Sequence, residues 1–382
     1  MNNETRKETQ VLPKDVRYVG ADDLTLPLFE NQYPVQPMGV SYNSYLILDE
    51  KIAVMDSVDA RAADEWLAKL AHELDGRSPD YLVISHMEPD HSGSILRLAE
   101  KYQEMKLVGN TKTFTMLRQF FGAKAPTDDR LLEVGEGETL PLGAHTLHFM
   151  LAPMVHWPEV MVAYEETEKL LFSADAFGRF GALSRTAAAP WAPQARRYYY
   201  NIVGKYGAQV QALLKKAAAL EIETICPLHG PVLTGEALGE ALRLYDLWSR
   251  WQSESPDDIL LAHASIHGNT ARAAELLKQK LEAKGARVTL CDLTTTEVSY
   301  AVANAFYCGK LVLACSTYDG GLFPPMEEFL SHLQAKGFRD RSVGLMENGS
   351  WAPAAARLMR AKLEEMKDLR VCGTVVSLRS AL

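Results

Sequence analysis

The sequence predicts a two-domain α/β protein. Its 382 residues exceed what a single hydrophobic core usually holds, so two domains are the default expectation. A polar stretch at residues 253–258, which contains Pro256, is the best candidate for a linker. After this stretch, strand-like and helix-like segments alternate regularly, as is typical of a parallel, doubly wound sheet. Before it, histidines and carboxylates recur directly after apolar, strand-like runs.

The composition argues against several classes of function. The net charge is -9 and no basic block stands out, so neither nucleic acid nor an anionic membrane is expected as a partner. No apolar run approaches the ~18 residues of a membrane helix, and residues 1–7 lack the apolar core of a signal peptide. The five cysteines form no Cys-x-x-Cys pair, which argues against a disulfide framework and a cysteine-held metal module. Free thiols in a reducing cytoplasm are the favoured interpretation.

Hydrophobic periodicity assigns the elements before the predicted linker. Residues 61–74 carry apolar side chains at helical spacing, including Trp66 and Leu70, and predict a helix. Residues 42–48 and 52–56 flank a polar turn and predict a hairpin, whereas residues 1–40 are predicted to be irregular. The other predicted strands are 81–85, 131–134, 146–151, 160–164, 170–173 and 224–226, and the other predicted helices are 95–99, 112–121, 196–203, 209–220 and 236–251.

The segment after the predicted linker contains short apolar runs that helical segments separate. This alternation predicts a parallel sheet with helices on its faces. The predicted strands are 259–263, 287–291, 311–315, 342–346 and 371–376.

The stretch from His86 to His91, with the sequence His-Met-Glu-Pro-Asp-His, concentrates metal-binding chemistry. It follows the predicted strand 81–85 and precedes a predicted helix, so four ligand-type side chains lie at the carboxyl end of a strand. Folds of the α/β class place their sites at such ends. Two imidazoles and two carboxylates are costly to pack together unless a cation neutralises them. The alternative is an ordinary, solvated polar loop before a helix.

Three further residues of the same chemical types also follow predicted strands. They are His156, Asp175 and His229, and each one alone is more typical of a hydrogen-bonded loop or core residue. Together with the first loop they make four imidazoles and three carboxylates. This set suits two metal ions that a carboxylate bridges.

Three loops after strands of the second domain predict a phosphate-containing cofactor. The first loop offers hydroxyl groups and backbone N–H groups at the start of a helix, where an anion binds well. It is not a Gly-x-Gly-x-x-Gly motif, so a dinucleotide is less expected, and an ordinary capped helix start is the alternative. The candidate cofactor-binding residues are Ser265, His267, Gly268, Asn269 and Thr270, then Ser316, Thr317, Tyr318, Asp319 and Gly320, and finally Asn348, Gly349, Ser350 and Trp351.

These motifs in this order resemble the metallo-β-lactamase superfamily and, more closely, the flavodiiron proteins. The hydrolases of the superfamily usually carry His-x-His-x-Asp-His, whereas Glu88 here replaces the second histidine, as in the flavodiiron branch. A carboxylate at this position favours iron over zinc. The resemblance covers about residues 22–377. It implies that His86, Glu88 and His156 bind one iron, that Asp90, His91 and His229 bind the other, and that Asp175 bridges the two.

The resemblance also implies the fold. Residues 1–252 are expected to form a metallo-β-lactamase-like αββα sandwich, residues 253–258 the linker, and residues 259–382 a flavodoxin-like domain that binds FMN. In flavodoxins the later two loops flank the isoalloxazine ring, on which aromatic residues such as Tyr318 and Trp351 stack. Both rings remain possible core or surface aromatics. Flavodoxin-like domains normally close with another helix, and this helix is expected to be missing because the predicted fifth strand lies close to residue 382.

The function implied is that of a cytoplasmic flavodiiron oxidoreductase that reduces dioxygen to water, nitric oxide to nitrous oxide, or both. Electrons are expected to pass from an external carrier through FMN to a non-haem diiron site. No rubredoxin-like cysteine module is present, so the expected donor is a separate, rubredoxin-like protein. One of the tyrosines Tyr198, Tyr199 and Tyr200 is expected to line the diiron pocket, although these rings could equally pack within a helix.

The resemblance further implies a head-to-tail homodimer, or a dimer of dimers, in which the FMN of one chain serves the irons of the other. A linker of about six residues spans ~20 Å at most and does not let a flavin swing across a whole domain. Two other functions stay open at this point: a zinc-dependent hydrolase with a flavodoxin-like module, and an electron carrier whose lactamase-like domain is only structural. The preference between dioxygen and nitric oxide also stays open, because it depends on the surroundings of the ligands.

Overall fold

The computed structural model describes residues 12–381, which divide into two compact units. The first unit contains the described residues up to Tyr199 together with Ala208–Tyr245, and the second contains Tyr200–Gly207 together with the described residues from Asp246 onwards. The predicted linker overlaps the strand Ser255–Ala264, which begins four residues before the predicted strand 259–263. The domain boundaries at residues 252 and 259 stay a prediction.

Two six-stranded sheets form the first unit. The first sheet has the spatial order Val16–Tyr18, Tyr45–Ile47, Ala53–Met55, Tyr81–Val83, Lys106–Gly109 and Leu131–Glu133. The second has the order Thr139–Pro141, Thr146–Leu151, Met161–Glu165, Leu170–Phe172, Thr224–Cys226 and Leu233–Thr234.

One hydrophobic core joins these two sheets. Met55 and Val83 of the first sheet belong to the same buried cluster as Phe149 and Phe172 of the second. Side chains alternate between the faces of a strand, so the apolar residues of both sheets can meet in one layer. Burial of such apolar area contributes about 25 cal/mol per Å². The arrangement is a sandwich, in agreement with the predicted fold class.

The helices before the second unit's sheet follow the predicted periodicity in most places. In the helix Ala63–Leu74, the side chains of Trp66, Leu70 and Leu74 are buried at intervals of four residues, which places them on one face of the helix. The α-helices of this part of the chain are Ala63–Leu74, Pro89–Ser92, Ile95–Lys101, Thr111–Phe121, Leu183–Thr186, Trp191–Tyr198, Gly207–Ala217 and Gly235–Ser249.

Several predicted elements were wrong in this part of the chain. Residues 16–34 are not irregular, because they contain the strands Val16–Tyr18, Ala21–Asp23, Leu28–Phe29 and Tyr33–Pro34. Strands of two or three residues are too short to show an alternating pattern. The predicted helix 196–203 is α-helical only to Tyr198 and continues as a π-helix over Tyr199–Val203. The metal-type loop includes a helical turn, Pro89–Ser92, which begins with proline at a favoured position.

The second unit contains a parallel sheet with the spatial order Val288–Asp292, Ser255–Ala264, Cys308–Tyr318, Ser342–Asn348 and Arg370–Leu378. A short strand, Gly321–Leu322, pairs antiparallel with the end of Cys308–Tyr318. In chain order the five parallel strands are arranged 2-1-3-4-5, which is the flavodoxin-like order with its ligand site at the switch point between the first and third strands. The α-helices that lie between these strands are Asn269–Glu282, Val298–Tyr307, Pro324–Ala335 and Ala355–Glu364.

Within residues 12–381, no helix is both long enough and apolar enough to cross a membrane.

Candidate functional site

The predicted metal ligands all follow strands of the first unit. The strand Tyr81–Val83 leads to His86, and the turn Pro89–Ser92 carries Asp90 and His91. Asp175 follows the strand Leu170–Phe172, and His229 follows the parallel strand Thr224–Cys226. His156 lies between the antiparallel strands Thr146–Leu151 and Met161–Glu165.

The structure brings the seven predicted ligands together in two groups. Within each group, one donor atom from every residue lies within 4.8 Å of the others. We call these sets the first donor group, which contains His86, Glu88, His156 and Asp175, and the second donor group, which contains Asp90, His91 and His229.

Asp175 lies between the two donor groups and presents one carboxylate oxygen to each. Its Oδ2 lies 3.0 Å from His156 Nε2 and 3.4 Å from His86 Nε2. Its Oδ1 lies 3.2 Å from His91 Nε2 and 3.6 Å from His229 Nε2. This is the geometry that a carboxylate needs in order to bridge two metal ions.

The ring nitrogens that face these carboxylates are the ones available to a metal. His229 donates its Nδ1–H to the carbonyl oxygen of Ser41 at 2.7 Å, so the Nε2 of the neutral ring carries a lone pair. That lone pair faces Asp90 Oδ2 at 3.3 Å and His91 Nε2 at 3.1 Å. Lone pairs and carboxylate oxygens repel one another unless a proton or a cation lies between them. The donor set therefore fits a bound metal cation.

Buried oxygen atoms without hydrogen bonds support the same interpretation. Both carboxylate oxygens of Asp90 and the Oδ1 atom of Asp175 are buried and have no hydrogen-bond partner within residues 12–381. A buried carboxylate without compensation is strongly unfavourable. A cation in each donor group removes this cost.

Hydrogen bonds and charges within the site shift its pKa values. Burial lowers the pKa of His156, but hydrogen bonds to Asp175 and Glu88 outweigh it and raise this pKa to about 9. Burial raises the pKa of Asp175, whereas the charge of His91 and the hydrogen bond from His156 hold it well below its ordinary value. The site thus keeps the Asp175 carboxylate ionised and favours positive charge around it, which is the charge that metal ions supply.

Glu159 is a site residue that the sequence did not reveal. Its Oε1 accepts a hydrogen bond from His86 Nδ1 at 2.7 Å and another from the backbone N–H of Met87 at 2.9 Å. The Glu159 side chain is buried, and the contact fixes the ring so that His86 Nε2 faces the first donor group. The sequence feature that could have indicated Glu159 is its place three residues after the predicted ligand His156, in His-Trp-Pro-Glu.

The loop that carries His229 is held by residues near the strand Val40–Tyr42. The Asn43 side chain donates from Nδ2 to the carbonyl oxygens of Pro227 and Gly230, at 2.8 and 2.7 Å. The hydroxyl of Tyr45 donates to the same Pro227 oxygen at 3.0 Å. These residues position His229 although they lie more than 180 positions away in the chain, a distance over which sequence reasoning has no pairing signal.

The three predicted tyrosines have different surroundings. The ring of Tyr198 lies 5.5 Å from that of His229, and burial together with the charges of Asp175 and Asp90 raises the pKa of Tyr198 well above its ordinary value. Tyr199 packs against Tyr245 at 5.0 Å. Tyr200 belongs to the second unit, where its ring stacks on Phe306 at 3.9 Å. Tyr198 is therefore the member of the run that the structure places beside the donor groups.

A pocket of about 700 Å³ gives access to both donor groups. Glu88 and Asp90 line it, together with the ring of Trp157. The other lining residues are Leu26, Leu28, Phe29, Glu30, Asn31, Tyr42, Asp59, Arg61 and Pro89.

The second unit has a cavity of about 540 Å³ at the switch point of its sheet. This volume lies in the range of small-molecule sites. All of the predicted cofactor-binding residues except Gly268 line it, and Ile266, Ala352 and Ser380 line it in addition. Trp351 is 89% exposed and Tyr318 is 45% exposed, so both rings are free to cover a ligand.

Hydrogen bonds hold the three loops of this cavity in place. Thr270 and Ser316 share a hydrogen bond between their hydroxyl groups at 2.8 Å, which ties the first loop to the second. The hydroxyl oxygen of Thr317 accepts from the backbone N–H of Ala354 at 3.0 Å. The side chain of Asn348 donates to the carbonyl oxygen of Ser380 at 2.9 Å. The loops form a built cavity whose polar atoms and aromatic edges fit FMN.

Comparison with known proteins agrees with this fold and this site. The sequence matches the profile of the family described as "ODP family beta lactamase" over residues 40–230, half of the chain. A rubredoxin-oxygen oxidoreductase from Megalodesulfovibrio gigas is 28% identical over 91% of this chain and 87% of its own. A nitric oxide reductase from Moorella thermoacetica is 27% identical over 92% of this chain and 88% of its own.

A solved structure shows the same likeness in three dimensions. The crystal structure of the flavodiiron protein from Giardia intestinalis superposes with a TM-score of 0.86 and 26% identity, and the match covers 95% of this chain and 91% of that one. Both predictions, of the family and of the fold class, are confirmed. The chain belongs to the ODP family of beta lactamases, and over 95% of its length it resembles a flavodiiron protein.

Proposed function

We propose that this chain is an oxidoreductase that reduces dioxygen to water, nitric oxide to nitrous oxide, or both. The observation that carries the proposal is the pair of donor groups that meet at the two oxygens of Asp175. Two relatives that match more than nine-tenths of the chain are named for reactions with oxygen and with nitric oxide, which supports the same class of reaction.

The metals of the proposal are two irons. Three of the seven donors are carboxylates, and these hard, anionic ligands suit iron. Glu88 contributes one of them, at 3.0 Å from His156 Nε2. The ligands are His86, Glu88 and His156 for one iron, Asp90, His91 and His229 for the other, and Asp175 for both.

The protein's own contribution is to orient these ligands and to exclude water from them. Glu159 fixes the ring of His86, and the carbonyl oxygen of Ser41 fixes that of His229. The ligand imidazoles are at least nine-tenths buried, so each donor keeps a single orientation before metal arrives.

The cofactor of the second unit is FMN. Its phosphate is proposed to bind at the start of the helix Asn269–Glu282, where Ser265 and Thr270 offer hydroxyl groups and the helix end favours an anion. Tyr318 and Trp351 border the place for the ring system. When bound, FMN supplies electrons and the two irons supply the redox-active centre at which the gas is reduced.

The partners of the proposal are a rubredoxin-like electron donor and a second copy of the chain. The donor is proposed because the Megalodesulfovibrio gigas relative is named for rubredoxin.

The head-to-tail homodimer rests on the family resemblance. A metal-deficient variant (Asp90→Ala with His91→Ala) and a flavin-deficient variant (Gly268→Asp with Thr270→Ala) should each be inactive alone. When the two are co-expressed, mixed dimers should regain part of the activity. Inactive mixed dimers of folded variants would reject the crossed arrangement.

The proposed location is the cytoplasm, because all five cysteines are free and a reducing compartment keeps them so. A zinc-dependent hydrolase has less support, because the relatives are named as an oxidoreductase and a reductase. A simple electron carrier has less support, because the complete donor set would then have no role.

Elemental analysis tests the metals of the proposal. Protein from iron-replete cells is expected to contain about two irons and one FMN per chain. Protein that holds only zinc, and that gains no activity when iron replaces it, would contradict the proposal.

A further inference from the structure

The side chain of Tyr42 borders the pocket that leads to the donor groups, yet none of the roles described above uses it. Tyr42 ends the strand Val40–Tyr42 and is fully buried. Its ring lies 6.1 Å from the ring of His229, and Glu88 and Asp90 line the same pocket. A polar group thus lies next to the second donor group without being a ligand.

Arg61 determines how the hydroxyl group of Tyr42 can bond. Arg61 Nη2 donates a hydrogen bond to the Tyr42 oxygen at 3.1 Å. A guanidinium group only donates, so the Tyr42 oxygen must be the acceptor in this contact. The hydroxyl proton of Tyr42 therefore has to point elsewhere.

Arg61 is itself held in a fixed position. Its Nε and Nη2 donate to the two carboxylate oxygens of Asp59, each at 3.0 Å, and its Nη1 lies 3.5 Å from Asp23 Oδ2. Asp23 in turn accepts hydrogen bonds from the backbone N–H groups of Thr25 and Leu26. A two-point contact between Arg61 and Asp59 fixes the plane of the guanidinium group, and through it the orientation of the Tyr42 hydroxyl.

The hydroxyl proton of Tyr42 has no acceptor among the described residues 12–381. The one hydrogen bond of this group is the bond it accepts from Arg61. Neither oxygen of Asp90 takes the proton, since both lack a hydrogen bond. Burial and the charges of Asp59 and Asp90 raise the pKa of Tyr42 well above its ordinary value, so the group keeps its proton.

We infer that Tyr42 is a hydrogen-bond donor to a small anion or an oxygen-containing ligand that binds in this pocket, and that Arg61 and Asp59 are its positioning residues. The inference rests on the proposed two-metal site, which would hold such a ligand. A donor that is already fixed in position stabilises negative charge on the ligand, because no reorientation is needed. Purely structural packing of the Tyr42 ring would require no such donor.

Azide, a small anion, is the probe that tests this inference. Iron-loaded, oxidised protein is titrated with sodium azide and the absorbance change gives the dissociation constant. Tyr42→Phe keeps the ring and removes the hydroxyl, so azide should bind about ten-fold more weakly, as expected for a hydrogen bond to a charged group. Iron content and melting temperature should remain those of the wild type.

Two further variants separate this role from a change of structure. Tyr164→Phe is the matched control, because the hydroxyl of Tyr164 donates to the carbonyl oxygen of Glu221 in another part of the unit, and its azide affinity should not change. Arg61→Lys keeps the positive charge at a half-exposed position but loses the two-point guanidinium contact with Asp59. This variant should also bind azide more weakly than the wild type.

The outcomes distinguish this inference from the proposed function. If the wild type binds azide and folded, iron-loaded Tyr42→Phe binds it equally well, the inference is overturned and the proposed function is not. If Tyr42→Phe fails to fold, unchanged affinity in Arg61→Lys would overturn it. Wild-type protein that binds neither iron nor azide would overturn the inference and the proposed two-metal site together.

Discussion

The carboxylate of Asp175 joins the two donor groups, with Oδ2 at 3.0 Å from His156 and Oδ1 at 3.2 Å from His91. Asp175→Ala removes a donor from both groups at once. It also leaves the remaining imidazoles without the charge that holds them. We expect the iron content of this variant to fall from about two per chain to near zero.

Elemental analysis of purified protein measures this loss. Asp64→Ala is a suitable control, because the Asp64 carboxylate is 90% exposed and pairs with Arg97 at the surface. The control should keep both metals. Loss of a single iron from the Asp175 variant would show that this residue does not bridge.

Tyr198 is the second residue whose role can be tested singly. Its hydroxyl is buried near the donor groups and has no hydrogen-bond partner among residues 12–381. Tyr198→Phe removes this hydroxyl and keeps the ring. In the wild type this hydroxyl would donate a hydrogen bond to a charged species bound at the donor groups, and such a bond contributes about 1.5–3 kcal/mol. We therefore expect turnover with at least one of the two gases to fall by roughly an order of magnitude.

Steady-state consumption of dioxygen and of nitric oxide, at equal iron and FMN content, checks this prediction. Tyr199→Phe changes a neighbouring ring that packs against Tyr245 and should leave turnover unchanged. If Tyr198→Phe matches the wild type with both gases, the tyrosine has a packing role only.

The residues that sequence reasoning found and missed differ in a simple physical way. His86 and Glu88 belong to one short motif, and His229 follows an apolar run, so their positions at strand ends could be predicted. Glu159 and Ser41 act through hydrogen bonds to ligands 73 and 188 positions away. No local pattern encodes such contacts, because only the folded chain brings these residues together.

At the scale of secondary-structure elements, long periodic segments were predictable and short ones were not. The strand Thr146–Leu151 has the predicted bounds, and the helix Ala63–Leu74 differs from its prediction by two residues at one end. The strands Ala21–Asp23 and Leu28–Phe29 were missed because so few residues show no period. The π-helix Tyr199–Val203 was missed because its sequence is compatible with an ordinary helix.

The loop before the helix Asn269–Glu282 depends on a glycine in the left-handed conformation. Gly268 has φ = +85° and immediately precedes this helix. In Gly268→Ala the left-handed conformation costs about 1–2 kcal/mol, so the loop should relax away from the geometry that binds phosphate. We expect FMN affinity to fall about ten-fold.

Quenching of flavin fluorescence on titration with the FMN-free protein measures this affinity. Gly285→Ala is a matched control, because Gly285 has φ = +87° and lies beyond the other end of the same helix. Both variants should lose stability to a similar extent, whereas only Gly268→Ala should lose FMN affinity. Equal affinities in the two variants would argue against phosphate binding at this loop.

At the scale of the whole molecule, each unit contains one complete set of functional groups. The seven metal ligands belong to the first unit, and the residues of the FMN cavity belong to the second. The order of the two units along the chain was predictable from the motifs, since the metal-type residues end at His229 and the phosphate-type loop starts at Ser265. The interruption of the first unit by Tyr200–Gly207 was not predictable from the motifs. It depends on tertiary packing such as the stacking of Tyr200 on Phe306.

Turnover of the FMN- and iron-loaded protein with each gas, started under anaerobic conditions, decides whether this chain reduces dioxygen or nitric oxide. The protein is reduced by a rubredoxin-like donor, and either dioxygen or nitric oxide is then added while substrate loss and product are measured. We expect catalytic formation of water, of nitrous oxide, or of both, and no turnover after iron is replaced by zinc. Protein with two irons and one FMN per chain that is reduced by the donor but turns over neither gas would contradict this expectation.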